Sequence, residues 1–163
     1  MERLLGGDAS KSPSPSSPFS DSPQEEKREA DTPLAGKSVV IVEDEGVTVI
    51  QLRRTLVQAG LKVAGMASNG QEGAEMVLRE RPDLVLMDIQ MPVMNGLEAT
   101  RRILETYPVC IVILTAFSTE EYQQQAHEVG ASGYILKPIT GALLLPQLET
   151  AYQQFQASPP TQE

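Results

Sequence analysis

Five apolar stretches follow one another along the chain from residue 38, and each ends at polar residues. They read SVVIVED, LKVAGMAS, DLVLMD, VCIVILT and SGYILK. Continuous runs rich in Val, Ile and Leu are typical of parallel strands that are buried on both faces. Between them, apolar residues recur with helical spacing, and the last such segment carries Leu144, Leu148, Ala151 and Phe155. The pattern therefore predicts strands that alternate with helices.

The number of these units indicates the fold class. Five βα units in about 120 residues form an open sheet, because a closed barrel of this type needs eight. We predict an α/β fold, an open doubly wound five-stranded parallel sheet with helices on both faces. The strand order 2-1-3-4-5 is adopted from flavodoxin-like folds.

Glycine and proline residues predict where several helices end. Gly60, Gly130 and the Arg81–Pro82 step follow helical segments and are expected to close them. Pro146 lies inside the last helical pattern, where it removes a hydrogen bond and crowds the preceding turn. That helix is expected either to begin near Leu144 or to bend in its first turn.

Residues 1–35 differ in composition from the rest of the chain. The stretch KSPSPSSPFSDSP holds six serines and four prolines, and charged residues follow it. Such a segment buries too little apolar surface to offset its ordering entropy, so we predict a disordered tail there. Its Ser-Pro steps could instead be phosphorylation sites. We predict a folded domain over residues 36–157 and a frayed end over 158–163.

Composition excludes some classes of partner. The formal net charge is -9 and the sequence pI is near 4.6, which argues against direct binding of nucleic acid or anionic membrane. No apolar run approaches the roughly 20 residues of a transmembrane helix. The single cysteine, Cys110, lies in an apolar run and is predicted to be a core residue. These features favour a cytoplasmic protein.

Polar side chains come at the carboxyl ends of four of the five predicted strands. The first strand leads into Glu43 and Asp44, the third ends at Asp88, the fourth at Thr115 and the fifth at Lys137. In open α/β sheets, ligands bind outside this edge, at the switch point of the winding. With the adopted strand order, these side chains are expected to meet in one cleft.

This set of groups favours phosphoryl chemistry. Three neighbouring carboxylates repel one another unless a cation compensates them, and Lys137 and a divalent metal ion could both do so. An all-oxygen site with open positions suits Mg²⁺ or Mn²⁺, held by Asp44, Asp88 and a backbone carbonyl, with Glu43 acting directly or through water. A carboxylate beside a metal, an ammonium and a hydroxyl can attack phosphorus in line to give an aspartyl phosphate.

Four motifs at successive strand ends add a family resemblance. The segments VVIVEDE, DLVLMDIQMPVMNG, ILTA and ILKP resemble the receiver domain of two-component response regulators, over residues 37 to about 156. The resemblance implies that Asp88 is the phosphoacceptor and that Thr115 follows the phosphoryl group. It further implies the following roles: an acidic metal-binding pair at Glu43 and Asp44, metal contact through the carbonyl of Gln90, an ion pair from Lys137, a cis bond before Pro138, and a switching aromatic at Tyr134.

The resemblance also assigns neighbours of the site. Ala116 is small enough to leave the phosphoryl site open, while Phe117 and Gln90 flank the path of attacking water. Glu43 stands where many members carry aspartate, which loosens direct metal contact without abolishing it. Simpler readings remain open, because Asp44 could be a helix cap, Lys137 a solvated surface residue and Tyr134 a core residue.

The predicted function is that of a stand-alone, chemotaxis-regulator-like response regulator without independent substrate turnover. It would accept phosphate from a sensor histidine kinase or a phosphotransfer protein, dephosphorylate itself slowly, and control a downstream protein through its helix 4, strand 5 and helix 5 face. A monomer or weak dimer is expected. The alternatives are an unphosphorylated protein-binding module and a remnant of an RNA-binding antiterminator. A dehalogenase-type phosphatase is disfavoured, because the first strand carries adjacent Glu43 and Asp44 and not Asp-x-Asp.

Overall fold

The computed structural model describes residues 32–159, so the predictions for residues 1–31 and 160–163 lie outside the described part. Within this part of the chain, five strands and five helices alternate strictly. The strands are β1 (Ser38–Val42), β2 (Lys62–Ala67), β3 (Leu84–Asp88), β4 (Cys110–Thr115) and β5 (Gly133–Leu136). The helices are α1 (Gly46–Gln58), α2 (Gly70–Glu80), α3 (Gly96–Leu104), α4 (Glu120–Glu128) and α5 (Gly141–Ala157).

The strands form one parallel sheet in the order β2-β1-β3-β4-β5, which confirms the predicted fold class and strand order. The chain therefore winds outwards in both directions from the β1–β3 pair, where Val42 lies opposite Met87. The carboxyl ends of β1 and β3 meet at this switch point, where a doubly wound sheet binds its ligands.

Both faces of the sheet are covered, and successive residues of each central strand serve opposite layers. Val39 and Ile41 pack with α1 and α5, whereas Val40 and Val42 pack with the layer of α2, α3 and α4. Strands β3 and β4 are buried at every position. This double burial explains why the strands are continuous apolar runs without alternation.

Most helix ends agree with the sequence signals. Gly60, Gly130 and Arg81 all adopt positive φ just after a helix, at 96°, 98° and 50°. Helix α5 begins at Gly141, so it does not begin near Leu144, and it carries the proline in its second turn. The apolar spacing of its later turns keeps the helix in place, because Leu144, Leu148 and Ala151 are buried against the sheet.

The residues just before β1 close the amino end of the sheet. Leu34 has no exposed surface and belongs to the core between the sheet, α1 and α5. The hydroxyl of Thr32 donates a 2.7 Å hydrogen bond to Glu149 on α5, and the amide of Gly36 donates to Gly60. Packed structure therefore begins before the predicted domain boundary at residue 36, at an apolar residue that no periodic pattern marks.

None of the helices within residues 32–159 is both long and apolar enough to cross a membrane.

Candidate functional site

The carboxyl edge of the sheet brings together the polar residues predicted from the strand ends. Asp88 is the last residue of β3, and Glu43 follows β1, with its amide donating to the carbonyl of Ala67 on β2. Thr115 ends β4, and its carbonyl accepts from the amide of Lys137, which follows β5. Backbone pairing of the sheet thus holds each of these groups at one edge.

Three carboxylates lie close enough to share one cation. Oxygen atoms of Glu43, Asp44 and Asp88 all lie within 4.8 Å of one another. Glu43 and Asp88 are buried, with 2% and 6% of their surface exposed, whereas Asp44 is exposed. Burial, then the charge of Glu43, raises the pKa of Asp88 to about 7, although Lys137 acts in the opposite direction.

Lys137 is the cation that faces these acids. Its Nζ lies 2.7 Å from Glu43 Oε1, 3.6 Å from Asp88 Oδ2 and 3.9 Å from Glu45 Oε1. Burial lowers the pKa of Lys137, but contact with Glu43 and the charges of Asp88 and Glu45 outweigh burial, so the pKa is raised overall. Lys137 therefore remains an ammonium, and it is not a solvated surface lysine. The bond to Pro138 is cis.

The donor set fits a hard divalent cation. Carboxylate oxygens are the ligands that Mg²⁺ takes in proteins, usually one or two of them together with waters. Within the described residues, Glu43 Oε1 is buried and has no hydrogen bond of acceptable geometry, so the 2.7 Å contact with Lys137 is an ion pair alone. The one ammonium serves three acids, which leaves excess negative charge for a metal to neutralise. Asp44 lies outside α1, whose N-cap residue is Glu45, so Asp44 is not the cap of that helix.

The loop after Asp88 packs against the backbone of this residue. The amide of Gly96 donates to the carbonyl of Ile89, and a Cβ atom at Gly96 would overlap the carbonyl oxygen of Asp88. Only glycine permits this close approach. The tip of the loop is Val93, a β-branched residue at φ 71° with an exposed side chain. The start of α3 therefore packs directly on the peptide of Asp88.

Thr115 and Tyr134 are connected through one residue, Phe117, of the loop after β4. The amide of Phe117 donates to Thr115 Oγ1 at 3.2 Å, and the hydroxyl of Tyr134 donates to the carbonyl of Phe117. The Phe117 ring stacks on Tyr122 of α4, with 5.2 Å between ring centroids. Movement of the Thr115 hydroxyl would break its hydrogen bond with Phe117. It would therefore also affect Tyr134, which donates to the Phe117 carbonyl, and Tyr122, on which the Phe117 ring stacks. The resemblance suggested a role for Phe117 in water access, and it did not suggest this connection.

Two grooves open beside the acidic cluster. One, of about 660 Å³, lies between α1 and the loop that joins β5 to α5, and Ala116 and Lys137 form part of its wall. The other, of about 560 Å³, lies between the loop after β3 and α4, with Asp44, Gln90 and Tyr122 in its lining. Both sides of the site are therefore open to an approaching molecule.

Comparison with known proteins identifies similar chains. The family model described as response regulator receiver domain matches residues 39–149. The transcriptional regulatory protein PdtaR of Mycobacterium tuberculosis (strain ATCC 25618 / H37Rv) is 36% identical over 119 residues, which cover 73% of this chain and 58% of that protein. The chemotaxis protein CheY of Thermotoga maritima is 38% identical over 104 residues, covering 63% of this chain and 87% of CheY.

Solved structures of receiver domains have the same fold as this chain. The response regulator domain of Thermotoga maritima CheB aligns with a TM-score of 0.68 and 28% identity, over 72% of this chain and 97% of that domain. A CheY-like receiver domain protein from Methanospirillum hungatei aligns with a TM-score of 0.69 and 25% identity, over 76% and 100% of the two chains. The folds agree along nearly the whole length of both neighbours.

Proposed function

Because the chain belongs to the response regulator receiver domain family, we propose that it accepts a phosphoryl group on Asp88 from a phosphohistidine on a histidine kinase or phosphotransfer protein. The observation that carries this proposal is the position of Asp88, a buried carboxylate at a strand end with two acids and an ammonium around it. Lys137 lies 3.6 Å from Asp88 and only 2.7 Å from Glu43, so Asp88 shares its cation with a closer acid.

The transfer forms one bond and breaks one bond. A carboxylate oxygen of Asp88 attacks phosphorus, the phosphorus–nitrogen bond of the donor breaks, and the electron pair leaves with the imidazole, which takes up a proton from water. Bound Mg²⁺ would neutralise charge on the transferring group, and Asp44, Asp88 and the carbonyl of Gln90 would hold it, with Glu43 in the same acidic cluster. Lys137, whose Nζ lies 3.6 Å from Asp88, would supply a second positive charge.

The same arrangement supports a switch. The Thr115 hydroxyl oxygen accepts from the Phe117 amide, and its O–H can donate to a phosphoryl oxygen on Asp88, which is a strong, charged acceptor. Rotation of Thr115 towards it would give up the bond to Phe117 and release the loop to which Tyr134 is also bonded. We propose that this changes the face formed by α4, β5 and α5, which a downstream protein then recognises.

The first experiment measures the acceptance of phosphate directly. The chain is incubated with acetyl phosphate and Mg²⁺, its intact mass is measured, and borohydride reduction followed by peptide mapping locates the acyl phosphate. One added phosphoryl group at Asp88, absent when EDTA is present, is the expected result. A folded chain that gains no mass in Mg²⁺ would contradict the proposal and favour the unphosphorylated binding module.

A second experiment tests the approach of a protein donor. The exposed apolar residues Val47 and Ile50 on α1, and Leu143 at the start of α5, lie on the two elements that border the larger groove. We propose that a donor protein docks there, because its histidine must reach Asp88 in line. Val47→Lys should slow phosphate transfer from a phosphorylated donor protein at least tenfold and leave acetyl phosphate labelling unchanged.

The matched control is Val57→Lys, at the far end of the same helix and outside the lining of the groove. It makes the same exchange on an exposed valine of α1. Equal slowing in both variants would argue against docking on this groove, because the common effect would then be one of charge.

A further inference from the structure

The connection from β2 to α2 supplies none of the acids of the site, yet its backbone is bonded to both segments that do. The carbonyl of Ala67 accepts a 2.9 Å hydrogen bond from the amide of Glu43, which follows β1. The amide of Gly70 donates a 3.0 Å hydrogen bond to the carbonyl of Met94, in the loop after Asp88. One short connection therefore joins the backbones of the two acid-bearing segments.

The contact between Gly70 and this loop leaves no room for a side chain. Gly70 is the first residue of α2 and is buried. A Cβ atom there would overlap the carbonyl oxygen of Met94, and it would lie 2.8 Å from the Met94 carbonyl carbon and 3.0 Å from the carbonyl oxygen of Asn95. These are backbone atoms, so no change of rotamer relieves the overlap and the loop itself has to move.

The loop that Gly70 contacts, residues 89–95, carries the backbone carbonyl that is proposed to bind the metal. The amide of Met94 donates to the carbonyl of Pro92 at 2.7 Å, across the residue at the tip, Val93. This tight turn joins the Met94 peptide to the part of the loop that follows Gln90. Because Mg²⁺ requires oxygen ligands at 2.0–2.1 Å in nearly ideal octahedral geometry, a displacement of a few tenths of an ångström would weaken its binding.

We propose that Gly70 is a positioning residue for the metal site, which holds the Met94 peptide and thereby keeps the carbonyl of Gln90 where it can bind the ion. This inference rests on the proposed function, in which that carbonyl is a metal ligand. Gly70 acts through the backbone of the loop and not on the reacting atoms. Groups that orient metal ligands from outside commonly change metal affinity by about 10–100-fold.

The direct test compares Gly70→Ala with Gly73→Ala, the same exchange one turn later in α2. Gly73 is also buried, but the nearest neighbours of a Cβ atom there would be side-chain atoms of Val42 on β1, the closest at 2.6 Å. Both variants are expected to lose stability through overlap, so the pair separates general destabilisation from displacement of the loop. Mn²⁺ binding to the full chain is measured from the electron paramagnetic resonance signal of the free ion, and urea denaturation gives the stability of each variant.

Gly70→Ala is expected to raise the Kd for Mn²⁺ about tenfold. Gly73→Ala should raise it less than twofold at a comparable loss of stability. Equal weakening of Mn²⁺ binding by the two substitutions, or an unchanged Kd in Gly70→Ala, would overturn the proposal.

A second measurement uses the unsubstituted chain, so it does not depend on whether a variant folds. If the bond from Gly70 to Met94 favours metal binding, then bound metal must favour that bond in return. Mg²⁺ should therefore slow hydrogen exchange of the Gly70 amide at least fivefold and change exchange of the Gly73 amide, which donates to the carbonyl of Asn69, less than twofold. No slowing at Gly70, or equal slowing at both amides, would overturn the positioning role.

Failure of this inference is distinguishable from failure of the proposed function. An unsubstituted chain that binds no Mn²⁺ and gains no phosphoryl group from acetyl phosphate would refute the proposed function, and the role of Gly70 would fall with it. A chain that binds Mn²⁺ and is labelled at Asp88, with Gly70→Ala and Gly73→Ala alike in Kd, would refute the role of Gly70 alone.

Discussion

The two ends of strand β3 each carry an aspartate, and the two carboxylates meet opposite surroundings. Asp83, just before the strand, is exposed, and its Oδ2 accepts from both the amide and the hydroxyl of Ser38 at 2.9 and 3.3 Å. Asp88, at the other end, is buried among like charges, and its pKa is raised to about 7. The carboxylate before β3 therefore has two hydrogen-bond donors, whereas the carboxylate at its end lies among like charges.

The difference extends to the whole sheet. At its amino end, Leu34 fills the core, Ser38 joins β1 to the start of β3, and Tyr107 donates to the carbonyl of Pro82. At its carboxyl end, buried acids outnumber the ammonium that serves them. We expect the packed amino end to stabilise the fold and the crowded charges at the carboxyl end to destabilise it. Substitutions at the amino end should therefore lower the free energy of unfolding and leave phosphate labelling unchanged. Replacement of Asp88 at the carboxyl end should abolish labelling and raise the free energy of unfolding.

The largest effect is expected on phosphate acceptance. Asp88→Asn should abolish labelling by acetyl phosphate, because an amide oxygen is not a competent nucleophile. Asp83→Asn, the same exchange at the other end of the strand, should retain labelling within about twofold, since nothing at the site contacts it. Intact-mass spectrometry measures both. Labelling that survives in the first variant would show that another residue is the acceptor.

The second-largest effect is expected on the stability that Leu34 provides at the amino end of the sheet. Leu34→Ala should lower the free energy of unfolding by about 2–4 kcal/mol, because the side chain is fully buried. Leu143→Ala removes the same atoms from an exposed position and should change it by less than about 0.5 kcal/mol. Urea denaturation checks the pair. Similar values for the two variants would mean that Leu34 does not pack in solution as it does in the structure.

The third effect is a dependence of stability on pH. The pKa of Asp88 is about 7 in the folded chain and near its ordinary value of 3.8 when unfolded, so the folded state binds more protons between these values. Its contribution to stability is complete below about pH 4 and is lost as pH rises towards 7.

In metal-free protein, Asp88→Asn should therefore raise the free energy of unfolding on the order of 2 kcal/mol at pH 8, with the gain shrinking towards pH 5. Thermal and urea denaturation across this range test the difference between the variant and the wild type. A gain that is independent of pH would place its cause elsewhere than in ionisation of Asp88.

The smallest effect on stability is expected from the hydrogen bond between Ser38 and Asp83. Ser38→Ala removes a hydroxyl that donates to Asp83 and should cost about 0.5–1.5 kcal/mol, with acetyl phosphate labelling unchanged. A drop in labelling alongside this small loss of stability would show that the two ends of the sheet are coupled. The comparison between the two ends would then need revision.

Much of the fold followed from the sequence because burial on both faces leaves a pattern that is hard to mistake. The runs ending at Asp88 and Thr115 predicted their strands to within a residue, and the parallel arrangement then brought their ends to one edge. The position of Lys137 followed in the same way. Strand ends are predictable because one polar residue interrupts a long apolar run.

Other features depend on contacts that no pattern marks. Leu34 is one apolar residue after a proline, and only the packing of α1 and α5 reveals that it belongs to the core. The Nζ atom of Lys137 lies about an ångström closer to Glu43 than to Asp88, and a sequence pattern does not reveal so small a difference in side-chain position. The positive φ of Val93 is likewise set by the turn and not by the residue's own preference.

Gly96 has a mechanical consequence for the molecule. No side chain fits between Gly96 and the carbonyl of Asp88, so the start of helix α3 lies directly on the peptide of Asp88. We expect a displacement of α3 to move Asp88 with it, and a shift of about 1 Å is enough to spoil the in-line attack proposed for this residue. The tip of the loop at Val93 is exposed. We therefore expect insertions or partner contacts to be tolerated at the tip and to disturb Asp88 when they fall at the base of the loop.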